Sequence, residues 1–243
     1  MTLRLATSLF LLSTLAIGSA AADMVTVGSS LDNTLYVDDG ELSSGAGPTM
    51  FSGKTGAFGT GARRALVQFD LTGIPTGATV TAVQLKLFMG QTSSGAQAVS
   101  LRKVSASWGE GTSDAGENGG QGAQATTNDA TWLHRFYNGT NWATPGGDFS
   151  GVSSASINVT GIGTYTWGST AQMVTDVQGW VSNPATNFGY LLLGNEAVTG
   201  SAKRFDTREG GTAANRPRLI VTYTPPAVAV APSTWTRIKA LTQ

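Results

Sequence analysis

The sequence predicts an all-β domain carrying a single short helix. Apolar and polar residues alternate at the period of a half-buried strand through residues 63–71, 83–89 and 219–223. Turn-forming residues separate such runs, as in Gly73-Ile74-Pro75-Thr76-Gly77. The chain has 32 Gly in 243 residues and only 12% charged side chains, a balance common in exported β-proteins with many turns.

The chain opens with the parts of a secretory signal. Arg4 precedes an apolar run over residues 5–17, and Ser19-Ala20-Ala21-Ala22 supplies small residues for cleavage before Asp23. That run is shorter than the roughly 20 residues that span a bilayer, so no membrane span is expected after cleavage. Strands are expected at 23–27 and 31–37, with Asp32-Asn33-Thr34 set between apolar residues and Asp38-Asp39-Gly40 as the closing turn. Residues 40–62 read as a long loop with one short strand at 49–52. In the 63–71 strand Ala65, Val67, Phe69 and Leu71 share one face and Arg64, Gln68 and Asp70 the other; Leu66 breaks the pattern. Val83, Leu85, Leu87 and Met89 mark the next strand, and 98–104 a third that leads into Trp108.

Residues 109–130 are Gly-rich and low in complexity, which predicts a surface insertion. In contrast, 131–149 crowd Trp132, His134, Phe136, Tyr137 and Trp142 into a polar loop. Short strands follow at 157–160 and 163–167. Ser169 with Gln172 makes a capping-box pattern for a helix whose Val174, Val177 and Val181 share a face, and Asn183-Pro184 ends it. Residues 189–193 read as a buried strand, and 203–207 and 218–224 complete a domain spanning 23–224. Residues 225–232 form a Pro/Ala linker to a short tail, 233–243. In that tail Trp235, Ile238 and Leu241 fall on one helical face and could dock a surface protein.

Charge and cysteine content exclude several classes. Without Arg4 the chain has 14 basic against 15 acidic residues and no basic stripe, so nucleic acid is not an expected partner. With no cysteine, an exported chain must be held by packing or by bound ions. No cofactor is expected apart from structural calcium. For that ion the densest acidic cluster, Asp38-Asp39-Gly40-Glu41, lacks EF-hand spacing and reads as an ordinary turn.

Four blocks occur in a telling order: Arg63-Arg64-Ala65-Leu66-Val67-Gln68-Phe69-Asp70-Leu71 with its Ile74-Pro75-Thr76-Gly77 turn; Trp108-Gly109-Glu110-Gly111 followed by Ala130-Thr131-Trp132; Val174-Thr175-Asp176-Val177-Gln178-Gly179-Trp180; and Phe205-Asp206-Thr207-Arg208-Glu209 running to Arg216-Pro217-Arg218-Leu219. Together they resemble the DNRLRE-domain family of exported bacterial and archaeal proteins, over nearly all of residues 23–224. The resemblance implies a β-sandwich of jelly-roll type, grouped with carbohydrate-binding modules. Thr207 stands where Ser is commoner in that pattern, and no catalytic domain accompanies the module here.

No enzyme activity is expected. His134 is the lone histidine, and no Gly-x-Ser-x-Gly elbow sits between a strand and a helix. Sugar binding uses aromatic faces with polar neighbours, which selects Trp132, Tyr137 and Trp142, with Trp132 also suited to a core plug. Arg63, Arg64 and Lys54 could face an acidic glycan. Asp206, Arg208, Glu209, Arg216 and Arg218 read as a structural charge cluster in which arginines pair with acids across the Gly210-Gly211 turn. The expected protein is a secreted or cell-surface module that binds polysaccharide or cell-surface glycan, the alternative being a structural or adhesive component of an extracellular or envelope assembly.

Overall fold

A computed structural model describes residues 21–56, 61–117 and 119–227. Most of the leader, most of the linker and the tail lie outside the described residues. No helix among the described residues is long and apolar enough to cross a membrane.

Among the described residues the fold is all-β with one α-helix, and the strands pair antiparallel. In order they are β1 Asp23–Tyr36, β2 Leu42–Ser43, β3 Thr49–Lys54, β4 Ala62–Phe69, β5 Thr79–Thr92, β6 Gln97–Val104 and β7 Ala123–Gln124. Then come β8 His134–Phe136, β9 Thr140–Asn141, β10 Phe149–Val159 and β11 Gly163–Gly168, helix α1 Ala171–Ser182, and β12 Tyr190–Leu193, β13 Lys203–Asp206 and β14 Arg218–Thr224. One sheet is built on β5, with β11 on one side and β14 and β13 on the other. The second sheet runs β4–β12–β6–β10. β1 and β3 belong to both. Residues 23–28 of β1 pair with β14, and after a bulge near Ser30 residues 31–36 pair with β4. β3 likewise pairs with β13 and then, at Gly53 and Lys54, with β4.

The main core lies between the sheets. Val83, Leu85, Leu87 and Met89 of β5 with Leu219 and Val221 of β14 meet Ala65, Val67 and Phe69 of β4 and Val99 and Leu101 of β6. Trp167 of β11 crosses the gap and donates its indole N–H to the Val99 carbonyl at 2.9 Å. Helix α1 packs against this core through Met173, Val177, Trp180 and Val181, at the spacing of one helical stripe. Its N-cap is Thr170, one residue later than the sequence pattern suggests, and the Thr170 hydroxyl accepts the Met173 N–H. Ser169 is diverted to the sheet, where its hydroxyl accepts the Val83 N–H at 3.0 Å.

A second core explains why Leu66 breaks the alternation of its strand. The outer face of the β4–β12 sheet is covered, and Leu66, Leu35 and Leu191 pack there with Trp108, Ala130 and Trp142. The aromatic loop is the cover. The described residues of the Gly-rich stretch, 109–117 and 119–130, are also more ordered than its composition implies. β7 pairs with β2, the Tyr36 hydroxyl donates to the Gly119 carbonyl at 2.6 Å, and Arg63 Nε donates to the Gly120 carbonyl at 2.9 Å. Backbone carbonyls therefore find buried donors, and the segment needs little apolar surface of its own. Gly122, at φ +73°, lies so close to the Tyr36 ring that a Cβ there would sit 3.1 Å from it.

Tyr36 provides a pH test of this packing. Burial, the largest cause, pushes its phenol from 10.0 up to about 12 despite the nearby Arg63. Folding keeps the phenol protonated where the unfolded chain would ionise, so the unfolded state binds fewer protons. The associated stability is complete below pH 10 and is lost as pH rises toward 12, by up to roughly 1.4 kcal/mol per pH unit. Urea unfolding across that range should show the decline, with a shallower slope for Tyr36→Phe. Tyr190, raised by the same cause, keeps the slope from vanishing.

Candidate functional site

Two polar centres stand out, one buried and one open. The buried centre joins three segments distant in sequence. Asp32 lies in the second half of β1, Glu110 follows Trp108, and Arg208 and Glu209 follow β13. Each is fixed by its own local structure. Trp108 anchors the Glu110 segment by donating its indole N–H to the Phe188 carbonyl at 2.9 Å. The buried Thr207 holds the Arg208 loop, its N–H donating to the Pro48 carbonyl and its hydroxyl to the Gly47 carbonyl. Asn33 secures the middle: its amide donates to the Glu110 carbonyl at 3.0 Å while its side-chain oxygen accepts from Thr34 N, Ser44 N and the Ser43 hydroxyl. Gly45 is required because a Cβ there would fall 1.6 Å from the Glu110 carbonyl oxygen.

Arg208 forks onto both oxygens of Glu110 and also lies 3.0 Å from Glu209 Oε1. Glu110 Oε1 accepts the Asp32 N–H at 2.8 Å. Asp32 is 0% exposed. Its Oδ2 accepts the Arg208 N–H and the Ser29 hydroxyl, each at 3.0 Å. Burial first, and the neighbouring Glu209 second, push the Asp32 carboxyl from 3.8 up to about 8, against the pull of those two donors. Burial likewise raises Glu209.

The charge cluster expected from sequence is therefore divided. Arg208 and Glu209 serve this centre, with Glu110 and Asp32 as partners that spacing could not reveal. Arg216 and Arg218 do not reach carboxylates across the Gly-Gly turn. They donate instead to the carbonyls of Gly210 and Ala213, bracing the loop from within. Asp206 faces a separate hollow beside Arg204 and Glu117, and burial raises its carboxyl. The Asp38-Asp39-Gly40-Glu41 cluster is a turn: Asp39 accepts the Glu41 N–H, and Asp38 pairs with Arg63 at 2.6 Å.

The open centre is a cleft of about 610 Å³ where residues 143–149 meet β4, lined by Arg64, Ser105, Thr144, Pro145, Asp148 and Phe149. Arg64 is held from several sides. Glu196 takes a bidentate pair at 2.7 and 2.9 Å, the Gly146 carbonyl accepts at 2.8 Å, and the guanidinium lies 4.5 Å from the Trp132 ring and 5.4 Å from Phe149. Asp148 accepts the N–H groups of Ala143 and Thr144, which shapes the rim.

Of the aromatic candidates, Trp132 is half-buried under Arg64, while Tyr137 is half-buried in the β8–β9 hairpin, edge-on to His134. Trp142 is a correction. It is only 5% exposed, packs in the second core and donates its indole N–H to the Thr131 carbonyl, so its ring offers no free face for stacking. Arg63 is also withdrawn, buried against Tyr36. His134 bonds the Thr131 hydroxyl within its loop. Comparison with protein-family models and with curated proteins found no match for this chain.

Proposed function

We propose that this chain is an exported, non-catalytic module of the DNRLRE kind that binds carbohydrate or cell-surface polysaccharide, and that the Arg64 cleft is where it does so. The observation that carries the reading is the preorganised Arg64, fixed between Glu196, Trp132 and Phe149 at the base of an open cleft. A guanidinium already held in place loses little freedom when it bonds sugar hydroxyls or carboxylates, and a flanking ring supplies an apolar face. Asp148 and Thr144 add polar groups to the lining. Contacts among the sequence blocks that resemble the family also support the reading: Glu110 of the second block bonds Arg208 of the fourth.

A glycan array on the protein, followed by titration of the best ligand, tests this. Arg64→Gln is expected to weaken binding at least about tenfold, the effect of losing one charge-assisted pair, and also to lower the melting temperature because Glu196 loses its partner, so binding is titrated well below that melting point. Binding that survives Arg64→Gln and Phe149→Ala but fails in Tyr137→Ala would move the site to the hairpin. An adhesive or structural role is the second reading, favoured by Ile162 and Val152. These lie 72% and 59% exposed near the outer strands β10 and β11. Silence on glycans together with concentration-dependent self-association would favour it.

A further inference from the structure

The geometry points to a calcium site formed by Asp32, Glu110 and Glu209. One carboxylate oxygen from each lies within 4.8 Å of the other two. Oxygens sharing a calcium ion at 2.3–2.6 Å can stand at most about 5 Å apart, so a single ion can reach all three. Two atoms of the set await a partner. Asp32 Oδ1 and Glu209 Oε2 are buried and accept no hydrogen bond among the described residues, although Asp32 is fully enclosed. Unpaired buried carboxylate oxygens are costly, and a cation is the ligand that satisfies them.

Charge leads to the same ion. Fully ionised, the three carboxylates exceed the one guanidinium that faces them, that of Arg208, by two negative charges, which a divalent cation would cancel. Arg208 occupies Glu110 and Glu209 Oε1 but leaves Asp32 Oδ1 and Glu209 Oε2 free of it. The donors are all oxygen, which selects a hard cation over zinc. Calcium suits the site better than magnesium because it accepts irregular geometry, whereas magnesium demands a near-octahedral shell. Glu110 and Glu209 retain partial exposure, so water can complete the coordination. The ion would join β1, the segment after Trp108 and the loop after β13, a staple for a chain without cysteine. This site is separate from the Arg64 cleft and does not depend on what that cleft binds.

The test is calorimetric titration of the EDTA-treated full chain with calcium chloride, with melting temperature measured in parallel. Saturable binding of one ion per chain is expected, with a rise of about 5–10 °C at hundredfold excess over Kd. Glu209→Gln should reduce affinity at least about tenfold, since it removes one charged ligand and keeps the shape. If that variant does not fold, Asp32→Asn is the substitute. Absence of calcium binding to the unaltered chain overturns the proposal. So does full binding by either folded variant, which would put the ion elsewhere. An equal thermal shift with magnesium chloride would overturn the assignment to calcium.

Discussion

Replacing Trp142 by alanine is expected to lower stability by about 3–5 kcal/mol, the cost of emptying a buried aromatic site. The indole fills the space between Leu35, Leu66 and Leu191 on the outer face of the second sheet and the loop that carries Trp108 and Ala130. Truncation would open a cavity there and leave the Thr131 carbonyl without its donor. In a chain of this size each kcal/mol moves the melting temperature by about 2–4 °C, so a drop of roughly 10 °C should be seen by calorimetry. Trp142→Phe keeps most of the volume and should recover more than half of the loss. A Trp142→Ala protein that melts normally yet loses glycan binding would restore the stacking role and contradict the burial reading.

Arg63 has the second large effect. Its guanidinium, 1% exposed, pairs with Asp38, donates to the carbonyls of Gly120 and Ala62, and lies 4.8 Å from the Tyr36 ring centre. Arg63→Ala removes one partner of a buried pair, a change that costs about 3–5 kcal/mol where both charges are enclosed. Asp38 keeps a quarter of its side-chain exposure, so water recovers part of the loss and about 3 kcal/mol is expected. Because the Gly119–Gly120 segment hangs on Tyr36 and Arg63, hydrogen exchange should quicken first in residues 119–124 of this variant. Arg63→Lys should rescue only part of the stability, because an ammonium cannot bond Asp38 and two carbonyls in one plane.

The strands were legible wherever one face met the core and the other met water. β5 and β14 were readable on that basis, because period-two alternation reports a two-sided environment. It failed where both faces are covered. Leu66 looked like an exception and Trp142 like an exposed ring because the covering loop lies far from β4 in sequence. The Gly-rich stretch looked structureless for a related reason: its order comes from side chains of Tyr36 and Arg63 rather than from its own residues. Asp32, like Glu110, is a candidate-site residue that sequence reasoning passed over. A visible sign was present, three consecutive polar residues between Leu31 and Leu35, which in a strand must turn at least one polar side chain inward. What spacing could not supply was the meeting of residues 32, 110 and 209, which depends on β1 crossing between the sheets.

The pairing of β1 with β14 bears on how this molecule carries load. Asp23 is the register partner of Tyr223, so the folded domain is entered and left at neighbouring points, on strands that run in opposite directions. Tension drawn between those two points would strain the hydrogen bonds one after another, from Asp23 toward Gly28, as a zipper opens. The same tension applied between one end and the residues of the Arg64 cleft would instead cross the sandwich, where many contacts resist together. Pulled from one terminus alone, the β1–β14 ladder is spared; threaded into a taut chain through both, it would peel.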